Sequence, residues 1–164
     1  MTARPVSILV ASAFLACSAS SVGAPAAKSP FFGTWQLDLS RMPANYGTPP
    51  KKVTFAFDEA ADGQWRTTVD ITGQDDSVRH MTAEYRPDGH MAKIEGDTAE
   101  ADSVASMSPA PNVLVVSMVK NKVLDGVRTW VISPDGKELT ESAASMDQDG
   151  VPFVRNFHFK RVGG

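Results

Sequence analysis

Chemistry needs residues that titrate, coordinate or attack, and this chain sets few of them at a usable spacing. His80, His90 and His158 are the only imidazoles, and three imidazoles are in principle enough to hold a metal. His80 and His158 fall on the polar phase of alternating runs and His90 follows Asp88-Gly89, so all three read as solvated surface groups. Asp147, Asp149 and Gly150 have the opening spacing of a calcium loop. Val151, however, stands where a third oxygen ligand belongs, and no glutamate follows at the required distance. The acid pairs Asp58-Glu59 and Asp75-Asp76 lie in turns, where both carboxylates are solvated and nothing raises a pKa. No Ser, His and Asp fall into a nucleophile motif. The sequence therefore assigns no catalytic residue, no metal and no cofactor, and attention moves to what the apolar residues enclose.

Those residues alternate. Phe31, Gly33, Trp35, Leu37 and Leu39 share one phase against Thr34, Gln36 and Asp38, the period-2 pattern of a half-buried strand. Gly33 leaves room for another group to pack close to the Trp35 indole. Val53, Phe55 and Phe57 alternate with Thr54 and Ala56. Trp65, Thr67, Val69 and Ile71 alternate with Arg66, Thr68 and Asp70, and Met81, Ala83 and Tyr85 with His80, Thr82 and Glu84. The middle is less regular, with short strands over 91–95 and 103–107 and a break at Ser108-Pro109-Ala110-Pro111-Asn112. Val113 to Val119 and Val123 to Ile132 form a hairpin, with a bulge at Asp125-Gly126. In the last run, 151–162, Phe153, Phe157 and Phe159 share a face with Arg155 and Arg161.

Asp-Gly pairs begin at 62, 88, 125, 135 and 149 and supply the positive φ that tight antiparallel turns require. No stretch past residue 24 keeps a helical apolar pattern over three turns. The expectation is an all-β fold, an antiparallel up-and-down barrel of about 8–10 strands, closed because closure removes exposed edges. The long stretch Ser40 to Pro50, with Met42 and Tyr46, is a loop.

The beginning of the chain reads as a signal peptide over residues 1–24. Arg4 supplies the charge, Val6 to Ala16 is an apolar run too short to span a bilayer, and Val22-Gly23-Ala24 presents small residues for cleavage. Phe14-Leu15-Ala16-Cys17 resembles a bacterial lipobox in part. The pattern prefers an aliphatic residue where Phe14 stands and a small one where Leu15 stands, so Cys17 reads as part of the discarded peptide. Residues 25–30 form a flexible lead and 31–164 the barrel. Of 164 residues, removal of 24 leaves 140, enough for one domain, without cysteine and with net charge −4. Lys51-Lys52, Lys120 with Lys122, and Lys160-Arg161 are isolated pairs, not the basic cluster that nucleic acid requires. The protein is expected to be periplasmic or secreted, monomeric, and without a transmembrane helix.

Gly33-x-Trp35, the two Pro-Asp-Gly units, the segment Ser133 to Thr140 and the finish Phe157-His158-Phe159-Lys160-Arg161 resemble exported bacterial lipocalin-like (calycin-type) proteins over most of the mature chain. The resemblance implies that Trp35 packs under a basic side chain of the final strand, in the role Arg161 matches and Arg155 would take otherwise. Gly33, Trp35 and Arg161 then close the barrel. The chain lacks the other short lipocalin motifs and the C-terminal helix.

A barrel of this size holds packed side chains or one small ligand. The expected lining is Phe55, Phe57, Trp65, Thr67, Val69, Ile71, Met81, Tyr85, Phe153, Arg155 and Phe157, with Thr67, Tyr85 and Arg155 orienting a ligand. The leading expectation is binding of a small apolar or amphipathic molecule without catalysis. A barrel isomerase or hydrolase, and an envelope interaction module with a solid core, are the alternatives. An inward pair of ionisable residues would favour the enzyme.

Overall fold

Alternation of apolar and polar residues becomes strand wherever a turn follows it. The computed structural model describes residues 28–44, 46–147 and 149–163. The signal peptide expected over 1–24, with Cys17, lies outside the described residues, as do residues 25–27 of the lead. Eleven strands follow in order: β1 Gly33–Leu37, β2 Lys52–Glu59, β3 Trp65–Thr72, β4 Val78–Tyr85, β5 Asp88–Lys93, β6 Glu95–Gly96, β7 Ser103–Ala110, β8 Val113–Lys120, β9 Val123–Ile132, β10 Glu138–Met146 and β11 Pro152–Val162. Two single 3-10 turns, Leu39–Arg41 and Ala61–Gly63, are the only helical pieces among the described residues. None of these is long and apolar enough to cross a membrane.

All strands belong to one antiparallel sheet in the order β5-β7-β8-β9-β10-β11-β1-β2-β3-β4-β6. The first strand lies between the last and the second, with Trp35 opposite both Arg161 and Phe55. The two outer positions, β5 and β6, are consecutive pieces of one extended run. β5 pairs with β7 through Met91 and Ala105, and β6 pairs with β4 through Gly96 and Met81. One piece of chain thus touches both edges and brings the sheet to a nearly closed, up-and-down, all-β barrel. Gly96 makes this crossing possible. It has φ +88°, and a Cβ there would run into the His80 carbonyl, so only glycine lets the backbone lean onto β4.

The irregular middle differs from the sequence expectation in three places. Asp88-Gly89 does not end a strand but opens β5, where the register shifts between Asp88 and Met91. β5 ends at Lys93 and its continuation, β6, pairs with the other edge. β7 runs through Pro109 to Ala110, because the register shift between Met107 and Ala110 falls where proline has no N–H to give. The Asp125-Gly126 bulge is present: Met118 pairs with Gly126 and Val119 with Leu124, leaving Asp125 without a partner.

The end of the barrel where β1 begins is packed solid. Trp35, Phe31 and Phe57 are fully buried, with Phe159, Ile132 and Leu139 beside them. The Trp35 indole N–H donates to the Phe31 carbonyl at 2.8 Å. Phe31 meets Phe57 edge-on at 5.7 Å and Trp65 at 5.9 Å, and Phe32 meets Trp65 at 5.1 Å. Removing one such ring costs about 3–5 kcal/mol in a core of this kind.

Candidate ligand-binding cavity

With that end plugged, the inward residues of the other half cannot meet across the barrel. β2, β3, β4 and β11 each carry inward side chains away from the plug, and between them lies a cavity of about 310 Å³. Phe55, Thr67, Val69, Ile71, Met81, Tyr85, Phe153, Arg155 and Phe157 line it. Phe57 and Trp65 do not. They face inward one level lower, in the aromatic plug with Phe31.

The barrel-closing residues sit at the plug. The Arg161 guanidinium lies 4.0 Å from the centre of the Trp35 ring, a cation-π arrangement worth about 0.5–2 kcal/mol. It also donates to the carbonyls of Gly136, Phe32 and Pro30 at 2.8, 2.7 and 2.6 Å. Residues 28–30 of the lead are therefore fastened to the barrel, through Pro30 and through the Ser29 carbonyl, which accepts from Phe32. Gly33 has φ +125°, and a Cβ there would lie 2.6 Å from Arg161 Nη1. Absence of a side chain at 33 is what lets the guanidinium reach the indole.

Thr67 and Tyr85 hydrogen-bond each other at 2.7 Å, so much of their polar capacity is already used. Burial pushes the Tyr85 phenol up to about 12. Arg155 differs. Its guanidinium stacks at 4.4 Å on Phe153 and stands 5.8 Å from Tyr46, its Nε has no hydrogen-bond partner, and it forms no ion pair among the described residues. Tyr46, from the loop between β1 and β2, meets Phe157 edge-on at 5.6 Å and completes the lining at the mouth.

Ser106, Arg128, Trp130 and Glu141 are polar lining residues that escaped the sequence reading, as did Thr82 and Glu100. Arg128 Nε lies 3.1 Å from Glu141 Oε1. Burial pushes the Glu141 carboxyl up to about 7, against the pull of Arg128 and the neighbouring Trp130 indole, and Glu100 adds to the rise. Arg128 Nη1 and Ser106 Oγ are buried without a hydrogen-bond partner, and Trp130 Nε1 lies beside the Glu141 carboxyl without a well-formed hydrogen bond to it. The signal for these residues was phase. Arg128 alternates in step with Trp130 and Ile132, and Glu141 with Leu139 and Ala143, all of them inward.

The groups that sequence reasoning left on the surface are elsewhere. His80 pairs with Asp70 at 2.7 Å and His90 with Asp88 at 3.0 Å, both exposed, and Glu84 pairs with Arg66 on the outer wall. Burial and the nearby Arg41 hold His158 below its usual range. Asp147 caps its own turn by accepting the N–H groups of Asp149 and Val151. Among the described residues no three of His, Cys, Asp or Glu gather as a metal site would require.

An antiparallel, nearly closed up-and-down β-barrel with a lined interior cavity is compatible with a lipocalin-like fold. Comparison with protein-family models, with curated proteins and with solved structures returns no match for this chain.

Proposed function

We propose that this is an exported bacterial lipocalin-like protein that takes one small apolar or amphipathic molecule into its barrel, without catalysis. The observation that carries the reading is the cavity of about 310 Å³ beside an aromatic plug, walled by Phe55, Val69, Ile71, Phe153 and Phe157. Burying about 300 Å² of apolar ligand surface at about 25 cal/mol/Å² supplies ample driving force for such binding. Export rests on the signal-peptide pattern of residues 1–24. The test is titration of the mature protein with a fluorescent hydrophobic probe and displacement by fatty acids. Absence of probe binding at high protein concentration removes the reading.

A second reading, a barrel isomerase or hydrolase, is favoured by one observation. Glu141, beside Arg128 on the cavity wall, has its pKa near neutrality, where a carboxyl can both give and take a proton. Turnover of a small substrate that Glu141→Gln abolishes, with probe binding retained, would establish that reading over simple binding. The cavity speaks against the third reading, an envelope interaction module with a solid core.

A further inference from the structure

The polar atoms without partners are not scattered through the interior. Strand register puts Ser106 opposite Val116, Val116 opposite Arg128, Arg128 opposite Ala143, and Ala143 opposite Arg155. These five form one row across β7 to β11, and all of them line the cavity. Neighbouring strands are about 4.8 Å apart, so the backbones of Arg128 and Arg155 are about 10 Å apart. The residue between them is alanine, which leaves the space between two guanidinium-bearing strands unfilled. Trp130 stands one step toward the plug, opposite Glu141.

The unpartnered atoms of this row and of Trp130 are chemically alike. Arg128 Nη1, Arg155 Nε and Trp130 Nε1 can only donate, and Ser106 Oγ can donate. Buried donors without acceptors are costly. Trp130 Nε1 has the Glu141 carboxyl beside it, whereas Arg155 Nε, Arg128 Nη1 and Ser106 Oγ call for an oxygen that the protein itself does not supply. The charges lean the same way. Glu141 answers Arg128, but no carboxylate among the described residues answers Arg155. Glu100, the other acid on the wall, is engaged by Arg79 at 3.2 Å.

We propose that the bound molecule carries an anionic oxygen head group, held at mid-barrel between Arg155 and Arg128 with Ser106 donating to it. Its apolar body lies along the aromatic and aliphatic walls. This rests on the binding reading above and narrows it to amphipathic oxyanions. A carboxylate and a phosphate monoester share the chemistry, and Arg offers both of them paired, charge-assisted donors.

The experiment is displacement of Nile red, an uncharged dye, from the mature protein by four ligands with the same chain: laurate, lauryl phosphate, lauryl alcohol and laurylamine. A charge-assisted hydrogen-bond set predicts that laurate or lauryl phosphate displaces the dye at a concentration at least about tenfold below that of the alcohol, with the amine weakest. Comparison of these two oxyanions shows whether the head is planar or tetrahedral. Arg155→Met should reduce this advantage to within about threefold, with each displacement read relative to the variant's own affinity for the dye. Arg155 is the position to change, because its loss strands no carboxylate. If Arg155→Met does not fold, Arg155→Gln serves, and the wild-type series remains decisive without either. Equal displacement by all four ligands, preference for the amine, or an unchanged oxyanion advantage in a folded Arg155 variant overturns the proposal and leaves the cavity reading standing. Failure of the dye itself to bind overturns both.

Discussion

Glu141 makes the stability of this barrel depend on pH in a direction opposite to that of its surface acids. The ordinary glutamate value is 4.5, and burial raises the folded value to about 7. Between those limits the folded protein holds a proton that the unfolded chain has released, so stability falls as pH rises. The contribution is fully present below about 4.5 and is lost above about 7. Each pKa unit is about 1.4 kcal/mol, and the displacement from 4.5 to about 7 therefore amounts to about 3 kcal/mol. Asp38, Asp75, Asp97 and Asp135 act the other way. Partners led by Lys160, Ser77, Arg79 and Ser133 hold them below the usual carboxylate range, Asp38 at about 2, so their contribution is lost as acid protonates them. Urea unfolding of the wild type and of Glu141→Gln across this range separates the two effects, since the variant keeps every surface acid. The difference in unfolding free energy between the two proteins should change by about 3 kcal/mol from acid to mildly alkaline pH. Two parallel profiles would mean that Glu141 titrates as a solvated acid, and the argument from burial would fail.

Gly33→Ala should cost about 1–3 kcal/mol in urea unfolding from the backbone alone, because φ is +125°. The new methyl, 2.6 Å from Arg161 Nη1, should also lift the guanidinium from Trp35 and shift the tryptophan emission. Ser106→Ala should stabilise the ligand-free barrel by about 1 kcal/mol, since its buried hydroxyl has no partner to lose; a destabilised variant in the same unfolding assay would show that the hydroxyl is satisfied. Tyr46→Ala should speed release of a bound fluorescent probe in stopped-flow dilution while leaving stability within about 1 kcal/mol, because the ring closes the mouth and not the core.

The parts of the barrel legible in the sequence are those where one physical signal dominates. In β2, β3 and β4 apolar residues alternate with mostly polar ones, Thr67 being the polar exception inside, and the period sets which side faces inward. The seam is different. β5 carries an almost wholly exposed sequence, and β6 is two residues long. Their pairing with opposite edges is decided by the space that Gly96 leaves beside His80, a tertiary fact with no local pattern. Tyr46 was legible as a loop residue, but its place against Phe157 depends on how a loop of many short polar and proline residues folds back.

The hidden half of the candidate site follows from the same logic. Charged residues are read as solvated because they are rarely fully buried without a partner, and in β9 and β10 that habit outweighs the phase. Arg128 and Glu141 occupy inward positions between apolar neighbours, and each is tolerable there because the other lies 3.1 Å away. A partner several strands away cannot be inferred from one strand, but here the partners are on adjacent strands, two residues out of register. The hairpin that pairs β9 with β10 thus already contains the pair, and any reading that fixes its register from Ile132 and Leu139 brings Arg128 beside Glu141. Arg155 has no such partner. It sits at an inward position of β11, stacked on Phe153 with Nε unanswered, which makes it the cation of the wall that no carboxylate among the described residues pairs.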